Sequence, residues 1–525
     1  MKNLITVDDL FGQIKSKIKP VWVCAFLGCV IAGFLIHLYP MTNHFLNNDS
    51  LWNQYSDQDI IASGRQFLTY ACSIGSYYDL HWLNGVLSLL YLGITAVMLV
   101  EIFGIKDKVF AAIAGILLVS FPSFVATYSY AYTVDGYMLA VLLATLAYLL
   151  TKKYKWGFLP GMVCMGVSLG IYQAYFSWTI LLCIMGMLLE ILREDNMKKI
   201  LVHGMKCLGM GLGGYVFYVI TLKLMLLLKG AEVSGYQGSD RVLGYSLSLL
   251  PKGLLSAGRS FGSFLFVSNV LTANIFMKVA LVILIAVAVG LFGYLFIKRK
   301  AYRQGGKILL VAVLCVMIPF GANLINIMNP DVYFHLLMRY PWVIFFLFVP
   351  VLLEEGLPEL KSASGKMKKL FAQGVLWGGT LALVVMIFCF AVNGNIAYFS
   401  LNERYEKSYA LALRMLDRME EHPDYTPGMT VAVLGGFPNK DIFPTTDNAR
   451  WMLRGYFGDY GEYVIDSTDK YAAFWARYMG VTVNYLTTPE ELELVKTKEF
   501  EEMGLFPAED CIRKVGDVLI IKINE

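Results

Sequence analysis

The residues best equipped for chemistry fall in a polar tract that follows the first apolar run. It reads Asn43-His44-Phe45-Leu46-Asn47-Asn48-Asp49-Ser50-Leu51-Trp52-Asn53, then Asp57-Gln58-Asp59 and Gly64-Arg65. A carboxylate can take the proton of an attacking hydroxyl, and an arginine can hold a phosphate through a planar fork that never deprotonates. Asp49, Asp57 and Asp59 are therefore candidate general bases, and Arg65 a candidate anion ligand. If residues 50–70 form a helix lying on a membrane, Asp57, Ile61 and Arg65 share a face at i, i+4 and i+8, with Asp49 or Ser50 capping its start. The plainer account of the same pattern is an N-cap and a surface ion pair.

Further candidates lie beyond this tract. Asp135 opens an apolar run after Tyr128, Tyr130 and Tyr132. A carboxylate there is costly unless paired or functional, although a helix start also favours it through the macrodipole. Tyr172 and Gln173 occupy a tight turn between two apolar runs. The segment Asn329-Pro330-Asp331-Val332-Tyr333-Phe334-His335-Leu336-Leu337-Met338-Arg339-Tyr340 gathers Asp331, His335 and Arg339. Arg339 suits bidentate phosphate binding, or else anchors the chain at a membrane surface by snorkelling. Arg241 and Arg259 add cations to a long loop. Asp57 and Asp59 could touch a divalent cation, but two carboxylates are too few to specify one, so no cofactor or metal is expected.

The elements that must position these residues are membrane spans. The 525 residues are 57% hydrophobic and 16% charged, with mean hydropathy +0.57, which places most of the chain in a bilayer. Apolar stretches recur near 20–38, 81–102, 109–126, 134–150, 157–171, 176–192, 201–228, 275–297, 308–328, 340–353 and 370–393, giving about eleven spans. The first stretch lacks a small-residue cleavage site and reads as a span, not a signal peptide.

Basic groups precede the first span and then mark every second connection: Lys106 and Lys108; Lys152, Lys153 and Lys155; Arg193, Lys198 and Lys199; Lys298, Arg299, Lys300, Arg303 and Lys307; and Lys361, Lys366, Lys368 and Lys369. By the positive-inside rule these connections and residues 1–19 are cytoplasmic, and the region beyond residue 395 is outside. The long loops, near 39–80, 229–274 and 329–339, then fall on the outer face together with the candidate residues.

Past Asn395 the composition shifts toward a small α/β domain. Asn402 to Glu421 reads as an amphipathic helix, Thr430 to Leu434 as a buried strand ending in Gly435-Gly436, and Val518 to Ile523 as a late strand. The glycine pair is a turn or a ligand loop. The nine cysteines show no metal-type spacing, and Cys72 and Cys511 are the two outside apolar stretches and thus the pair open to a disulfide. Small net charge (+4) in scattered clusters excludes nucleic-acid binding, and neither a Walker loop nor a dinucleotide fingerprint is present.

The expected fold is an α-helical polytopic membrane protein, GT-C-like, with about eleven transmembrane helices over 20–395 and a small extracytoplasmic α/β domain over 396–525. The acidic first outer loop, aromatic outer turns, late basic residues and C-terminal domain resemble a GT-C membrane glycosyltransferase. Within that class, Asp49 through Asp57, Asp59 and Gly64-Arg65, with the Gln173 turn, resemble the bacterial O-antigen glucosyltransferase family of serotype conversion. The carboxylates are spread out here, with no adjacent acidic pair.

The resemblance implies transfer of a hexose, glucose first, from a polyprenyl-phosphate sugar to a surface polysaccharide or lipid-linked glycan at the outer face of the bacterial inner membrane. It implies Asp49 as base, Arg65 and Arg339 as phosphate ligands, and a separate donor synthase and flippase as partners. A flippase for a lipid-linked sugar is the main rival and would need ionisable groups near span centres, where this sequence has almost none. A polysaccharide polymerase or ligase shares the donor chemistry and stays open.

Overall fold

The structure, a computed structural model, describes residues 7–235, 245–332, 334–362, 365–444, 456 and 463–525. Its helices in chain order are α1 (Val7–Lys17), α2 (Pro20–Thr42), α3 (Ser50–Asn53), α4 (Leu68–Ala71), α5 (His81–Phe103), α6 (Lys108–Ser120), α7 (Pro122–Tyr128), α8 (Ala131–Lys153), α9 (Phe158–Ile171), α10 (Phe176–Arg193), α11 (Met197–Lys229), α12 (Leu250–Phe266), α13 (Ile275–Lys298), α14 (Gly305–Ala322), α15 (Leu324–Met328), α16 (Val343–Lys361), α17 (Lys366–Glu420), α18 (Thr468–Phe474), α19 (Thr488–Leu494) and α20 (Lys498–Glu501). The strands are β1 (Thr430–Leu434), β2 (Asn484–Tyr485), β3 (Ile512–Val515) and β4 (Val518–Lys522).

Among the described residues, nine helices are long and apolar enough to cross a membrane. The other two of the eleven expected stretches are the pair α6–α7, bent by 44°, and the short apolar helix α9. The bend has a local cause: Phe121 is extended (ψ 133°) and Pro122 follows it. A proline forces its predecessor out of the helical region and cannot donate to the preceding turn.

The chain divides into two compact units, one of Met1–Met41 with Asp57–Gly394, the other of Thr42–Ser56 with Asn395–Glu525. In the first, helices approach closely where glycine permits it. A Cβ on Gly115 would collide with the Ala25 carbonyl oxygen, so α6 and α2 meet at backbone contact. His37 sits beside this crossing, its Nε2 donating to the Val119 carbonyl at 2.8 Å and its ring stacked on Tyr128. Elsewhere in this unit Glu355 pairs with Arg193 at 2.6 Å and Arg299 at 2.5 Å, and Glu359 with Arg299 at 2.8 Å, which ties α10, α13 and α16 together.

The second unit holds a four-stranded sheet ordered β2-β1-β4-β3. β1 runs parallel to both neighbours, and β3 and β4 form an antiparallel hairpin. Ala432, Leu434, Phe500, Met503 and Ile520 are buried together against it. Gly435 (φ +111°) follows β1, and a Cβ there would collide with the Asn524 backbone, so this glycine serves a tight turn. The amphipathic stretch beginning at Asn402 is no separate helix: it is the last part of the 55-residue α17. Trp475 donates to the Ala412 carbonyl at 2.9 Å, and Arg477 and Gln54 bond Leu51 and Tyr478, which fixes residues 42–56 to this unit. Cys72 is a buried thiol of the first unit and Cys511 a buried thiol of the second.

Candidate functional site

The expected surface helix over residues 50–70 is replaced by three short pieces: α3, a 3-10 turn at Ile61–Ser63, and α4. Gln58 (φ 55°) and Gly64 (φ 75°) take left-handed conformations that interrupt any continuous helix. Asp57, Ile61 and Arg65 therefore share no helical face. Asp49 stands at the N-cap of α3 but makes no side-chain cap bond. Asn47 does that work, its Oδ1 accepting from the backbone N–H groups of Asp49 and Ser50, both at 2.9 Å, and from the Ser50 hydroxyl at 3.0 Å.

Asp49 belongs to the second unit, where Asn53 Nδ2 donates to its carbonyl at 2.7 Å. Asp57 Oδ1 accepts from the Asp59 N–H at 3.1 Å, and Asp59 forms a solvent-facing ion pair with Lys229 at 2.8 Å. Among the described residues no three His, Cys, Asp or Glu side chains are grouped so as to hold a metal ion.

Arg65, Tyr172 and Gln173, separate in sequence, come together. Gln173 Nε2 donates to the carbonyls of Ser63 (3.0 Å) and Gly64 (2.9 Å), and the Tyr218 hydroxyl donates to the Gly64 carbonyl at 3.0 Å. Only glycine fits there, since a Cβ would stand 2.5 Å from the Tyr218 hydroxyl. The clamped turn delivers Arg65, whose Nη1 donates to the Tyr137 hydroxyl at 3.3 Å and whose guanidinium lies over the Tyr172 ring. Tyr137 and Tyr172 stack at 4.3 Å. Arg65, Tyr172 and Gln173 line a cavity of about 100 Å³ together with Asn329 and Met338.

The same chain segment reaches a second polar cluster. Asp135 is 1% exposed, with the Cys72 thiol and the Gly136 backbone N–H against its carboxylate. Cys72 packs on Gly136, and its thiol is held well above the usual range by burial and then by the Asp135 charge. Asp79 is also buried, 3.5 Å from His81 Nε2. The His81 Nδ1 N–H donates to the Pro40 carbonyl at 3.1 Å, the Tyr128 hydroxyl to the His81 carbonyl at 2.6 Å, and Asn84 to the Ala131 carbonyl at 3.0 Å. Sequence reasoning missed Asp79 and His81. Their signal was a carboxylate and an imidazole two residues apart inside the aromatic run Tyr77-Tyr78-Asp79-Leu80-His81-Trp82.

Arg339 is held rigidly. Its Nη2 donates to Ser260 Oγ at 2.9 Å and its Nη1 to Asn323 Oδ1 at 3.4 Å, between the rings of Phe264 (4.5 Å) and Phe334 (4.3 Å). Asp331 is spent on an exposed ion pair with Lys252 at 2.5 Å, and His335 leads into the 3-10 turn Leu336–Trp342. Arg241 lies outside the described residues.

The family model for glucosyl transferase GtrII matches residues 38–352, more than half of the chain. The chain belongs to the GtrII glucosyl transferase family. The GtrII match takes in every candidate from Asp49 to Arg339 and ends before α17 and the sheet. Membership makes this multi-pass membrane protein a glycosyltransferase that carries out glucosylation, with a sugar donor and a glycan acceptor. A comparison with curated proteins gives no match. Within the GtrII region, the first unit joins Arg65, Tyr172 and Gln173 at one cavity, and sets Asp59 and Asp331 in surface ion pairs.

Proposed function

We propose that the protein transfers glucose from polyprenyl-phosphate glucose to a cell-surface polysaccharide or lipid-linked glycan at the outer face of the bacterial inner membrane. The acceptor hydroxyl oxygen attacks the anomeric carbon, the bond from that carbon to the phosphate oxygen breaks with its electron pair leaving on polyprenyl phosphate, and the hydroxyl proton passes to a carboxylate. Charge grows on the phosphate as the bond breaks, and a fixed cation stabilises it most when it need not reorganise. The observation that carries the proposal is Arg65, set on an aromatic shelf at the edge of a cavity by a turn that Gln173 and Tyr218 clamp.

The candidate bases are Asp49, Asp57, whose Oδ1 accepts from the Asp59 N–H, and Asp59, which pairs with Lys229 at the surface; Asp135 is buried. Asp49, which the family resemblance favours, is assigned as the base. Asp135 is buried at the cost of removing a carboxylate from water, and is assigned a supporting electrostatic role. The alternation of basic connections along the sequence supports an outward-facing site and C-terminal unit. A lipid-phosphate leaving group needs no nucleotide site, and its supply requires a separate donor synthase and flippase.

The test is transfer of radiolabel from polyprenyl-phosphate glucose to surface glycan, in membranes holding wild type or Asp49→Asn. Label in the glycan for wild type alone supports the assignment. Absence of label from any such donor, with lipid-linked sugar crossing the bilayer, makes the protein a transporter.

A further inference from the structure

Away from Arg65, α10 and α11 share a cluster of titratable and nucleophilic side chains that takes no part in the site above. On α10, Cys183 and Glu190 are seven residues apart, two helical turns, and so lie on one face. On α11, His203 and Cys207 are four apart and share a face as well. Gly204 lets the two faces close, since a Cβ there would stand 2.8 Å from Met187 Cε.

The four groups touch in series. Glu190 Oε2 meets His203 Nδ1 at 2.8 Å, His203 Nε2 meets Cys207 Sγ at 3.5 Å, and the Cys183 S–H donates to the Cys207 sulfur. A carboxylate only accepts, so in the neutral ring Nδ1 carries the proton and the Nε2 lone pair faces the Cys207 S–H. Lys152 of α8 adds a positive charge 3.6 Å from Glu190. Each group touches only the next, an order that suits proton relay and not the ligation of one ion. A carboxylate-oriented imidazole against a thiol generates a nucleophilic sulfur, and a second thiol beside it resolves that sulfur once oxidised. Cys207 is 7% exposed, which admits a small oxidant but no bulky electrophile.

We infer that Cys183 and Cys207 form a redox-active thiol pair oxidised by hydrogen peroxide, with His203 as base and Glu190 as its orienting partner. The Cys207 proton passes to His203 Nε2, the sulfur attacks one peroxide oxygen, and the O–O bond breaks. The departing oxygen takes the electron pair and the His203 proton and leaves as water, with Cys207 now a sulfenic acid. The Cys183 sulfur then attacks the Cys207 sulfur, the S–O bond breaks, and hydroxide leaves with the Cys183 proton as a second water. Two thiols are oxidised to one disulfide, and one peroxide is reduced to two waters. The disulfide joins α10 to α11, the elements that hold the Gly64 carbonyl through Gln173, just ahead of α10, and Tyr218, eleven residues beyond Cys207 on the same buried face.

The test adds equimolar hydrogen peroxide to the purified full-length protein in detergent, alkylates the remaining thiols and maps the peptides. Expected is a Cys183–Cys207 disulfide reversed by dithiothreitol, with the exposed Cys315 still alkylated. Cys183→Ser should stop at a sulfenic acid on Cys207, trapped by dimedone. His203→Gln should slow the disulfide about 100-fold at unchanged melting temperature, the lower end of what a general base contributes. Oxidation of Cys315 with Cys183 and Cys207 still alkylated overturns the pair. A disulfide formed as fast in folded His203→Gln as in wild type overturns the base. The wild-type map needs no variant, so a misfolded His203→Gln does not blunt it.

Discussion

The guanidinium of Arg65 lies over the ring of Tyr172, 5.2 Å from its centroid, although the two residues come from different connections of the bundle. The Tyr172 ring is itself stacked on Tyr137, so the cation rests on a two-ring support and not on a flexible side chain. Arg65→Ala should lower kcat/KM for glucose transfer by about 100- to 1000-fold, the usual cost of removing one stabiliser of developing charge. Arg65→Lys should recover only a small part, because an ammonium lacks the planar fork and stacks poorly. Initial rates with a lipid-phosphate donor read both, and full activity in Arg65→Ala would remove Arg65 from the chemistry.

Tyr172 separates ring from hydroxyl. Tyr172→Phe keeps the face beneath Arg65 and should retain activity near wild type, whereas Tyr172→Leu removes it and should reduce kcat/KM by roughly threefold to thirtyfold, the range of a partly desolvated cation–π contact. The comparison is made at matched expression, with near-equal loss in both variants counting against the stacking role.

Gly64 supports a stability prediction. Its φ of +75°, and a Tyr218 hydroxyl that would stand 2.5 Å from any Cβ, leave no room for alanine. Gly64→Ala should destabilise by about 1–3 kcal/mol through backbone strain, and more if the Gln173 clamp opens. Thermal unfolding in detergent measures the first, and the double variant Gly64→Ala with Tyr218→Phe checks whether the hydroxyl is the clash.

Glu355 acts on stability for a different reason. It faces Arg193 and Arg299 with its side chain only 12% exposed. Removing it takes this partner from Arg193, which is 35% exposed, whereas Arg299 keeps Glu359 at 2.8 Å, so the cost is about 1 kcal/mol, nearer the exposed-pair limit than the buried one. Glu355→Ala should therefore lower the melting temperature and reduce membrane yield, while Glu355→Asp, with one methylene less, should fall between. Unchanged stability in Glu355→Ala would show the cluster to be solvated.

How much of this was legible in the sequence depended on the kind of signal. Apolar runs and basic connections gave the spans because a bilayer admits few backbone solutions. β1 began at Thr430 and ended at Leu434 as its β-branched pattern suggests. Residues 50–70 were illegible: the helical spacing of Asp57, Ile61 and Arg65 is real, but left-handed Gln58 and Gly64 break the helix, and Asn47 outcompetes Asp49 for the cap. The meeting of Arg65 with Tyr172 and Gln173 could be suspected only as residues at one membrane face, since periodicity carries no information on which turns touch. Asp79 escaped because it sits at a span boundary, where a single carboxylate looks like an ordinary interfacial residue.

Asp135 brings stability and function into opposition. Its carboxylate is buried, 1% exposed, against the Cys72 thiol and the Gly136 N–H and within the electrostatic reach of Asp79. Burying one carboxylate near another is unfavourable, and a side chain kept at that cost marks a working site more often than a structural one. Asp135→Asn preserves shape and removes the charge, so it should leave the melting temperature unchanged or raise it by a few degrees, corresponding to about 1 kcal/mol. Glucose transfer should fall at least about tenfold in the same variant if the charge acts on the reaction. Asp79→Asn should show the same pattern more weakly, because the nearby His81 loses its partner. A drop in stability with transfer intact would identify Asp135 as a structural carboxylate, and Asp49 would then be the one carboxylate assigned to the reaction.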